Sequence, residues 1–203
     1  MRAEFCRAKG GSGVAVVVLH GCGGFSTFDH RLATTLPDYG IATLYVDYFL
    51  LTPPPKRRGF CRGGGNAAEA LPTWIRVVTD AGRTLRKRRG VRSVGIVGWS
   101  LGGDVALAAA SGPPNRRPFG AVAGFSADPS AVSKPRWMPP TILLFGGLSD
   151  RALIRQARRL RRELRSRVPL QLCGYPGGRH QWRRRQGAAG IAKAAAFLSR
   201  HLR

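Results

Sequence analysis

Short apolar runs alternate along the chain with longer segments in which apolar residues recur at helical spacing. The runs predict strands near residues 14–20, 41–46, 93–98, 119–124, 141–146 and 169–175. The segments between them predict helices near 27–37, 67–89, 102–111, 151–167 and 187–202. Because parallel strands need crossover connections, this alternation predicts an α/β fold: a doubly wound, mostly parallel sheet of about six strands with helices on both faces.

The length and the pattern together predict one domain over residues 1–203. A chain of this size buries about 70% of its unfolded surface. No internal repeat is visible. The residues before Val14 are too few for two leading antiparallel strands, so we expect a minimal version of the fold.

One predicted turn carries a serine between a strand and a helix. Residues 98–102 read Gly-Trp-Ser-Leu-Gly, with Ser100 at the apex. Small neighbours allow the sharp bend that lifts a serine hydroxyl clear of the sheet, at the positive end of the next helix. The pattern predicts that Ser100 is a nucleophile; the alternative is a turn that only joins a strand to a helix.

A serine nucleophile needs a base, and in such a sheet the base is expected at the carboxyl end of a later strand. Of the four histidines, only His180 follows a late strand. His20 closes the first long strand, where packing is its expected role. His30 falls on a predicted surface helix and His201 at the C-terminal end, which leaves His180 as the predicted base.

The carboxylate that orients the base has two candidates. Asp150 follows the strand near 141–146 and gives the chain order serine, aspartate, histidine that is typical of α/β-hydrolases. Asp128 follows the preceding strand and competes with it. Asp47 is expected to order the loop at its strand end, and Asp104 to complement the dipole of the helix after Ser100.

Acyl transfer also needs two backbone N–H groups that bind the oxyanion. The amide of Leu101, directly after the nucleophile, is one candidate. The first long strand runs into a glycine-rich turn, where the Cys22 amide is the second candidate and the Gly23 amide its substitute. The alternatives are a turn that only reverses the chain and a catalytic thiol at Cys22.

Together these motifs resemble the dienelactone hydrolase family of α/β-hydrolases over roughly residues 13–200. The segments that carry the resemblance are His20-Gly-Cys-Gly-Gly24, Asp47-Tyr-Phe49, Gly98-Trp-Ser-Leu-Gly-Gly103, Gly147-Leu-Ser-Asp150 and Tyr175-Pro-Gly-Gly-Arg-His180. The founding dienelactone hydrolases have a cysteine nucleophile and a glutamate in the oxyanion turn, whereas this chain has Ser100 and Gly21. The resemblance therefore implies a minimal α/β-hydrolase that works as a serine esterase.

The predicted activity is the cleavage of short-acyl carboxylic esters through an acyl-enzyme intermediate. Hydrolysis of a dienelactone or related lactone is one alternative, and a non-catalytic hydrolase-like protein that binds polyanions is the other. Residues 51–65 form a long irregular loop that we expect at the rim of the pocket or as a surface excursion. The candidate substrate contacts are Gly23, Phe60, Arg62, Trp99 and Trp182.

The four cysteines, Cys6, Cys22, Cys61 and Cys173, show no spacing typical of a metal or redox site. An even count could form two bridges, but two of the four fall in the predicted oxyanion turn and core, so we expect reduced thiols and a cytoplasmic location. The N-terminal residues are polar, and the first apolar run is too short for a secretory signal or a membrane span. No metal and no cofactor is predicted.

Charge is the unusual part of the composition: 34 lysines and arginines against 10 acidic residues give a net charge of +24. Basic runs lie near 83–89, 151–167 and 183–185. In the middle run Leu153, Ala157, Leu160 and Leu164 form one apolar stripe, so the arginines should cover the outer face of a helix. A solvated surface is one interpretation and non-specific attraction to polyanions the other, since no nucleic-acid-binding motif is present.

Overall fold

The computed structural model describes residues 3–53, 60–62, 67–113, 115–132, 138–164 and 168–202, with Arg62 and Arg184 described by their backbone alone. Within these ranges the chain forms seven strands and five α-helices. They are β1 (Ala3–Cys6), β2 (Val14–Leu19), α1 (Thr27–Thr35), β3 (Ile41–Val46), α2 (Ala67–Arg86), β4 (Ser93–Trp99), α3 (Leu101–Ala110), β5 (Val122–Phe125), β6 (Thr141–Phe145), α4 (Arg151–Leu164), β7 (Leu170–Gly174) and α5 (Arg184–His201).

The strands form one sheet in the order β1-β3-β2-β4-β5-β6-β7. All neighbours pair in parallel except β1 and β3. The predicted α/β architecture and the six predicted strands are therefore confirmed. The predicted end of α4, residues 165–167, lies outside the described residues.

Strand β1 is a seventh strand that the apolar pattern did not predict. It is short and lies at the sheet edge, with Ala3 and Glu4 exposed and Phe5 and Cys6 half-buried. Such a strand has no continuous apolar run, because it is held mainly by main-chain pairing with β3. Among the described residues, one strand, antiparallel to its neighbour β3, precedes β2.

Apolar side chains cover both faces of the sheet. Along β2, Ala15, Val17 and Leu19 belong to one buried cluster, with residues of α2, α3 and α4. Val14, Val16 and Val18 belong to the other, with residues of α1 and α5. This two-sided burial explains why the strands read as unbroken apolar runs, and it leaves the strand ends as the place where polar groups converge.

Candidate active site

The turns that follow β2 and β4 lie side by side at the carboxyl edge of the sheet. The chain leaves β2 toward β3 on one side and leaves β4 toward β5 on the other. A crevice opens where connections diverge in this way, and ligands of open α/β sheets bind there. The β2 turn contains Cys22, and the β4 turn contains Ser100.

Ser100 occupies a strained turn between β4 and α3. Its φ of 52° is uncommon for a residue with a side chain, and such strain costs on the order of 1–3 kcal/mol. A Cβ at Gly98 would lie 2.2 Å from the carbonyl oxygen of Gly102, and one at Gly102 would lie 2.2 Å from that of His20. Only glycines allow this turn, which packs the start of α3 against the end of β2.

His180 bridges Ser100 and Asp150. The distance from His180 Nδ1 to Asp150 Oδ1 is 2.8 Å, and that from Nε2 to Ser100 Oγ is 3.0 Å. Because a carboxylate only accepts hydrogen bonds, Nδ1 carries the proton and Nε2 is left to accept from the serine hydroxyl. These distances match those that a serine nucleophile, a general base and an orienting acid require.

The Asp150 carboxylate is buried and accepts hydrogen bonds from three groups. Besides His180, the Ser126 hydroxyl and the Gly146 amide donate to it. Burial by itself raises the pKa of Asp150, but these hydrogen bonds outweigh it and hold the pKa below its ordinary value. Asp150 therefore stays ionised where the imidazole needs a negative partner.

The hydrogen bonds extend one step further, to residues that sequence reasoning missed in this role. Trp182 Nε1 donates to Ser126 Oγ at 3.0 Å, so Ser126 links a buried indole to the Asp150 carboxylate. Ser126 directly follows β5 and, like Ser100, has a positive φ, of 48°. Its position at a strand end is the one signal in the sequence that points to it.

The other aspartates serve local structure. The Asp128 carboxylate accepts from the Ser130 amide and so caps a 3-10 turn (Pro129–Ala131). The backbone amide of Asp128 donates to the Asp104 carboxylate at 2.6 Å. Burial raises the pKa of Asp104 to about 7. Asp47 accepts from the Phe49 amide at 3.0 Å and orders its loop in the predicted way. Asp150, and not Asp128, is thus the carboxylate beside His180.

The remaining histidines lie away from the serine hydroxyl. His20 is fully buried, with Nδ1 2.8 Å from the Gly21 carbonyl oxygen and Nε2 3.3 Å from Asp47. Burial lowers the pKa of His20 although both partners act in the opposite direction. His30 is exposed on α1, and His201 packs against the Phe197 ring. The His20 ring therefore contacts the turn after β2 through the Gly21 carbonyl.

The sequence profile of the dienelactone hydrolase family matches residues 73–201, well over half of the chain. This chain belongs to the dienelactone hydrolase family. Membership agrees with the motifs quoted above and confirms the predicted class, a hydrolase that acts on ester bonds. No curated protein sequence matches the chain.

Solved structures agree with the fold of this family member. A dienelactone hydrolase from Anabaena variabilis has 20% identity and a TM-score of 0.80, over 99% of this chain and 92% of that one. Est1E from Butyrivibrio proteoclasticus, solved with bound ferulic acid, has 15% identity and a TM-score of 0.72, over 98% and 94%. A bacterial heroin esterase has 16% identity and a TM-score of 0.70, over 99% and 79%. At these identities the likeness shows a shared α/β-hydrolase fold.

The glycine-rich turn of this hydrolase, residues 21–24, packs directly on the serine turn. A Cβ at Gly21 would lie 2.9 Å from the Trp99 ring, and the Gly24 amide closes the turn on the Gly21 carbonyl at 3.1 Å. Among the described residues, the backbone N–H groups of Cys22 and Gly23 have no hydrogen-bond acceptor. Leu101 is the first residue of α3, where a backbone N–H has no partner within the helix.

The prediction of four reduced cysteines is wrong for two of them. Cys22 and Cys61 form a disulfide across 39 residues of sequence, while Cys6 and Cys173 are free. Spacing could not reveal this pair, because the loop that carries Cys61 shows no regular pattern. The bridge also removes the thiol argument for a cytoplasmic location, since disulfides persist mainly in oxidising compartments.

The candidate substrate contacts fall into two groups. Gly23 is exposed beside Cys61, and Phe60 packs on Phe49 and Trp74, with ring centroids 5.4 and 4.9 Å away. The Arg62 side chain lies outside the described residues. Trp99 and Trp182 line a groove of about 700 Å³ and belong to the buried cluster on the other face of the sheet from Phe60.

Aromatic rings and guanidinium groups line that groove together. Phe28 joins the two tryptophans, and three arginines also line the groove: Arg31, Arg183 and Arg185. No carboxylate pairs with any of the three in the part of the chain that the structure describes. The groove therefore combines an apolar surface with unneutralised positive charge, and one of its lining residues, Trp99, donates a hydrogen bond to the His180 carbonyl oxygen.

Two structural findings bear on other partners. Over the described ranges, no three or more His, Cys, Asp or Glu side chains cluster in a way that would hold a metal ion. None of the described helices combines the length and the apolar character needed to cross a membrane.

Proposed function

We propose that this family member is a serine carboxylesterase that cleaves short-acyl esters through an acyl-enzyme. Ser100 attacks the ester carbonyl, and His180 takes its proton and later returns it to the leaving alcohol. Asp150 holds the imidazole in the required tautomer. The single observation that supports this proposal most is the unbroken hydrogen-bonded chain from Asp150 through His180 to Ser100.

The amides of Leu101 and Cys22 stabilise the oxyanion in this proposal. Both lie where the serine turn and the glycine-rich turn pack together, and both lack an acceptor within the described protein. Donors fixed in this way are worth roughly 100- to 1,000-fold each in turnover. Water then attacks the acyl-enzyme with His180 as the base, and the second step runs through the same groups.

Covalent labelling tests the proposal. A fluorophosphonate should modify Ser100, as peptide mass spectrometry would show, and a p-nitrophenyl ester series should give the highest kcat/KM for short acyl chains. Ser100→Ala should lower turnover by roughly a million-fold with little change in Tm, because a nucleophile acts together with its base. Retention of more than about a tenth of the activity would place the nucleophile elsewhere.

The same assays separate the other functions. A lactone panel run beside the esters measures ring opening; a higher kcat/KM for lactones would reassign the substrate class within the same chemistry. The chain shares its fold with Est1E and with a heroin esterase, which act as precedents for esters. Lack of turnover on both panels would favour a non-catalytic member, for which polyanion binding by the basic surface is the function to test.

The cytoplasmic location remains a prediction from the sequence. The Cys22–Cys61 bridge favours an oxidising compartment instead. Thiol blocking at cell lysis, followed by mass measurement of the Cys22 and Cys61 peptides from each cell fraction, decides between the two. Recovery of the protein in the cytoplasmic fraction supports the prediction, and recovery with the bridge intact from another compartment contradicts it.

A further inference from the structure

The disulfide joins the glycine-rich turn after β2 to a segment that packs on the core. Cys22 lies in a turn with glycines at positions 21, 23 and 24, and each glycine adds backbone freedom that folding must remove. Within the turn, one main-chain hydrogen bond, from Gly24 to Gly21, closes it. Gly21 is fixed against Trp99 and His20, but beyond Gly21 the Cys22 residue is held mainly through its side chain.

Cys61 is exposed, but it directly follows a residue that packs on the core. It lies in a 3-10 turn (Phe60–Arg62), and the Phe60 ring packs against Phe49 and edge-on against Trp74. Trp74 is fully buried on α2, and its Nε1 donates to Thr52 Oγ1 at 2.8 Å. The Cys61 sulfur is therefore attached, through Phe60, to the core of the protein.

We propose that Cys61 is a positioning residue for ester hydrolysis. Its disulfide holds the Cys22 peptide so that the backbone N–H points at the place where the oxyanion develops. The inference rests on the proposed function, because it assumes an oxyanion formed at Ser100. The Cys22–Cys61 disulfide is then a covalent constraint located away from the reacting atoms, and the rate of the chemical step depends on it.

The constraint should act on the transition state and leave substrate binding largely alone. The oxyanion is charged only in the tetrahedral state, so a misaligned amide lowers kcat while KM changes little. Loss of a whole oxyanion donor costs roughly 100- to 1,000-fold, and a donor that is loosened but present should cost about 10- to 100-fold. Cys61 is exposed and Cys22 is half-buried, so a soluble dithiol reaches the bridge in the folded protein.

The test compares the oxidised wild type, the same protein reduced with dithiothreitol, and Cys61→Ser. With p-nitrophenyl acetate, the reduced wild type and the variant should share the same loss of kcat, with KM within about twofold of the oxidised protein. Reductant should not affect the variant further, and reoxidation should restore the wild type. Cys6→Ser, which removes a free cysteine, is the matched control and should respond to reductant as the wild type does.

A second measurement distinguishes positioning from general support of the fold. A trifluoromethyl ketone adds to the serine and forms an oxyanion, so its affinity should fall by the same factor as kcat. All assays run well below the Tm of each protein, with folding followed by circular dichroism. If Cys61→Ser does not fold, the reduced wild type replaces it.

Each result counts for or against the inference. Unchanged kcat and ketone affinity after loss of the bridge, with turnover still dependent on Ser100, would overturn the inference and leave the proposed function standing. A rise in KM alone would also overturn it, because the bridge would then shape only the rim of the pocket. A wild type with neither ester turnover nor Ser100 labelling would overturn the proposed function and this inference with it.

Discussion

Two aspartates follow neighbouring strands of the sheet, yet they have different partners. Asp150 accepts from the His180 ring, whereas Asp128 accepts from the Ser130 amide and caps a 3-10 turn. At the scale of single residues, the direction of one side chain thus separates a carboxylate that is hydrogen-bonded to His180 from one that stabilises a loop.

Amide substitutions of these two aspartates test the assignment. Asp150→Asn should lower kcat by roughly 10,000-fold, because an amide favours the wrong histidine tautomer. Asp128→Asn keeps the oxygen that accepts from Ser130 and should stay within a few-fold of the wild type. Steady-state kinetics on a p-nitrophenyl ester measure both, with Tm as the control for folding. A greater loss at position 128 would contradict the assignment.

Asp104 makes stability depend on pH. Burial raises its pKa in the folded chain to about 7, from 3.8 in an open environment. The unfolded chain therefore releases this proton first, and the free energy of unfolding decreases as pH rises from about 4 to about 7. At low pH the Asp104 carboxyl is protonated, so its burial carries no penalty for an ionised group.

Asp104→Asn should remove this dependence of stability on pH, because an amide does not titrate. The asparagine oxygen can still accept from the Asp128 amide. At pH 8 the variant should be more stable than the wild type by up to about 4 kcal/mol, at about 1.4 kcal/mol for each pKa unit. The gain should shrink toward pH 5. Urea unfolding at the two pH values measures it, and a gain of equal size at both would rule out a titrating Asp104.

Helix α5 begins with a charge arrangement that its own dipole opposes. Arg183 is its N-cap, Arg185 lies in the first turn, and no acidic residue is present there. Positive charge at a helix N-terminus is unfavourable by roughly 0.3–1 kcal/mol per residue. At the scale of the element, these charges do not stabilise the helix, but the first turn places two guanidinium groups at the groove that Trp99 and Trp182 line.

The double variant Arg183→Gln/Arg185→Gln tests whether these charges select substrates. We expect kcat/KM for an ester with a carboxylate on its acyl group to fall about 3- to 10-fold at low salt, and less as salt rises. The kcat/KM for a neutral ester should change little. Arg158→Gln/Arg162→Gln on the exposed face of α4 removes the same charge elsewhere and serves as the matched control. Equal losses in both double variants would mean that only net charge matters.

Over the whole molecule, the excess of basic residues covers the surface rather than forming pairs. Helix α4 buries Ala157, Leu160 and Leu164 and leaves its arginines exposed, as its apolar stripe predicted. The ion pairs that the described residues form are few for a chain with a net charge of +24. Such a surface attracts polyanions through long-range fields without selecting a sequence.

Salt titration separates a solvated surface from a binding surface. If the arginines are only solvated, turnover of a neutral ester should stay constant between about 50 and 300 mM salt. The Debye length shortens over this range, so any long-range electrostatic attraction would weaken. Binding of duplex DNA, followed by fluorescence anisotropy, should be weak and should fall steeply over the same range. Tight DNA binding at physiological salt, together with no ester turnover, would favour the polyanion-binding alternative.

The order of elements and the identity of the serine and histidine candidates follow from local pattern. Apolar runs and helical spacing report which faces of a segment are buried, and the glycines around Ser100 report a sharp turn. His180 stood out because the other histidines fell on a surface helix, in a packed turn or at the chain end. Family membership then agreed with the motifs that these residues form.

Tertiary structure decided what depends on contacts between distant segments. The choice of Asp150 over Asp128, the link from Trp182 through Ser126, and the bridge from Cys22 to Cys61 each join residues that lie far apart in the chain. The edge strand β1 is of the same kind, because main-chain pairing with β3 and not its own side chains holds it. Periodicity is a property of neighbours along the chain, whereas these features depend on which strand ends meet at the carboxyl edge of the sheet.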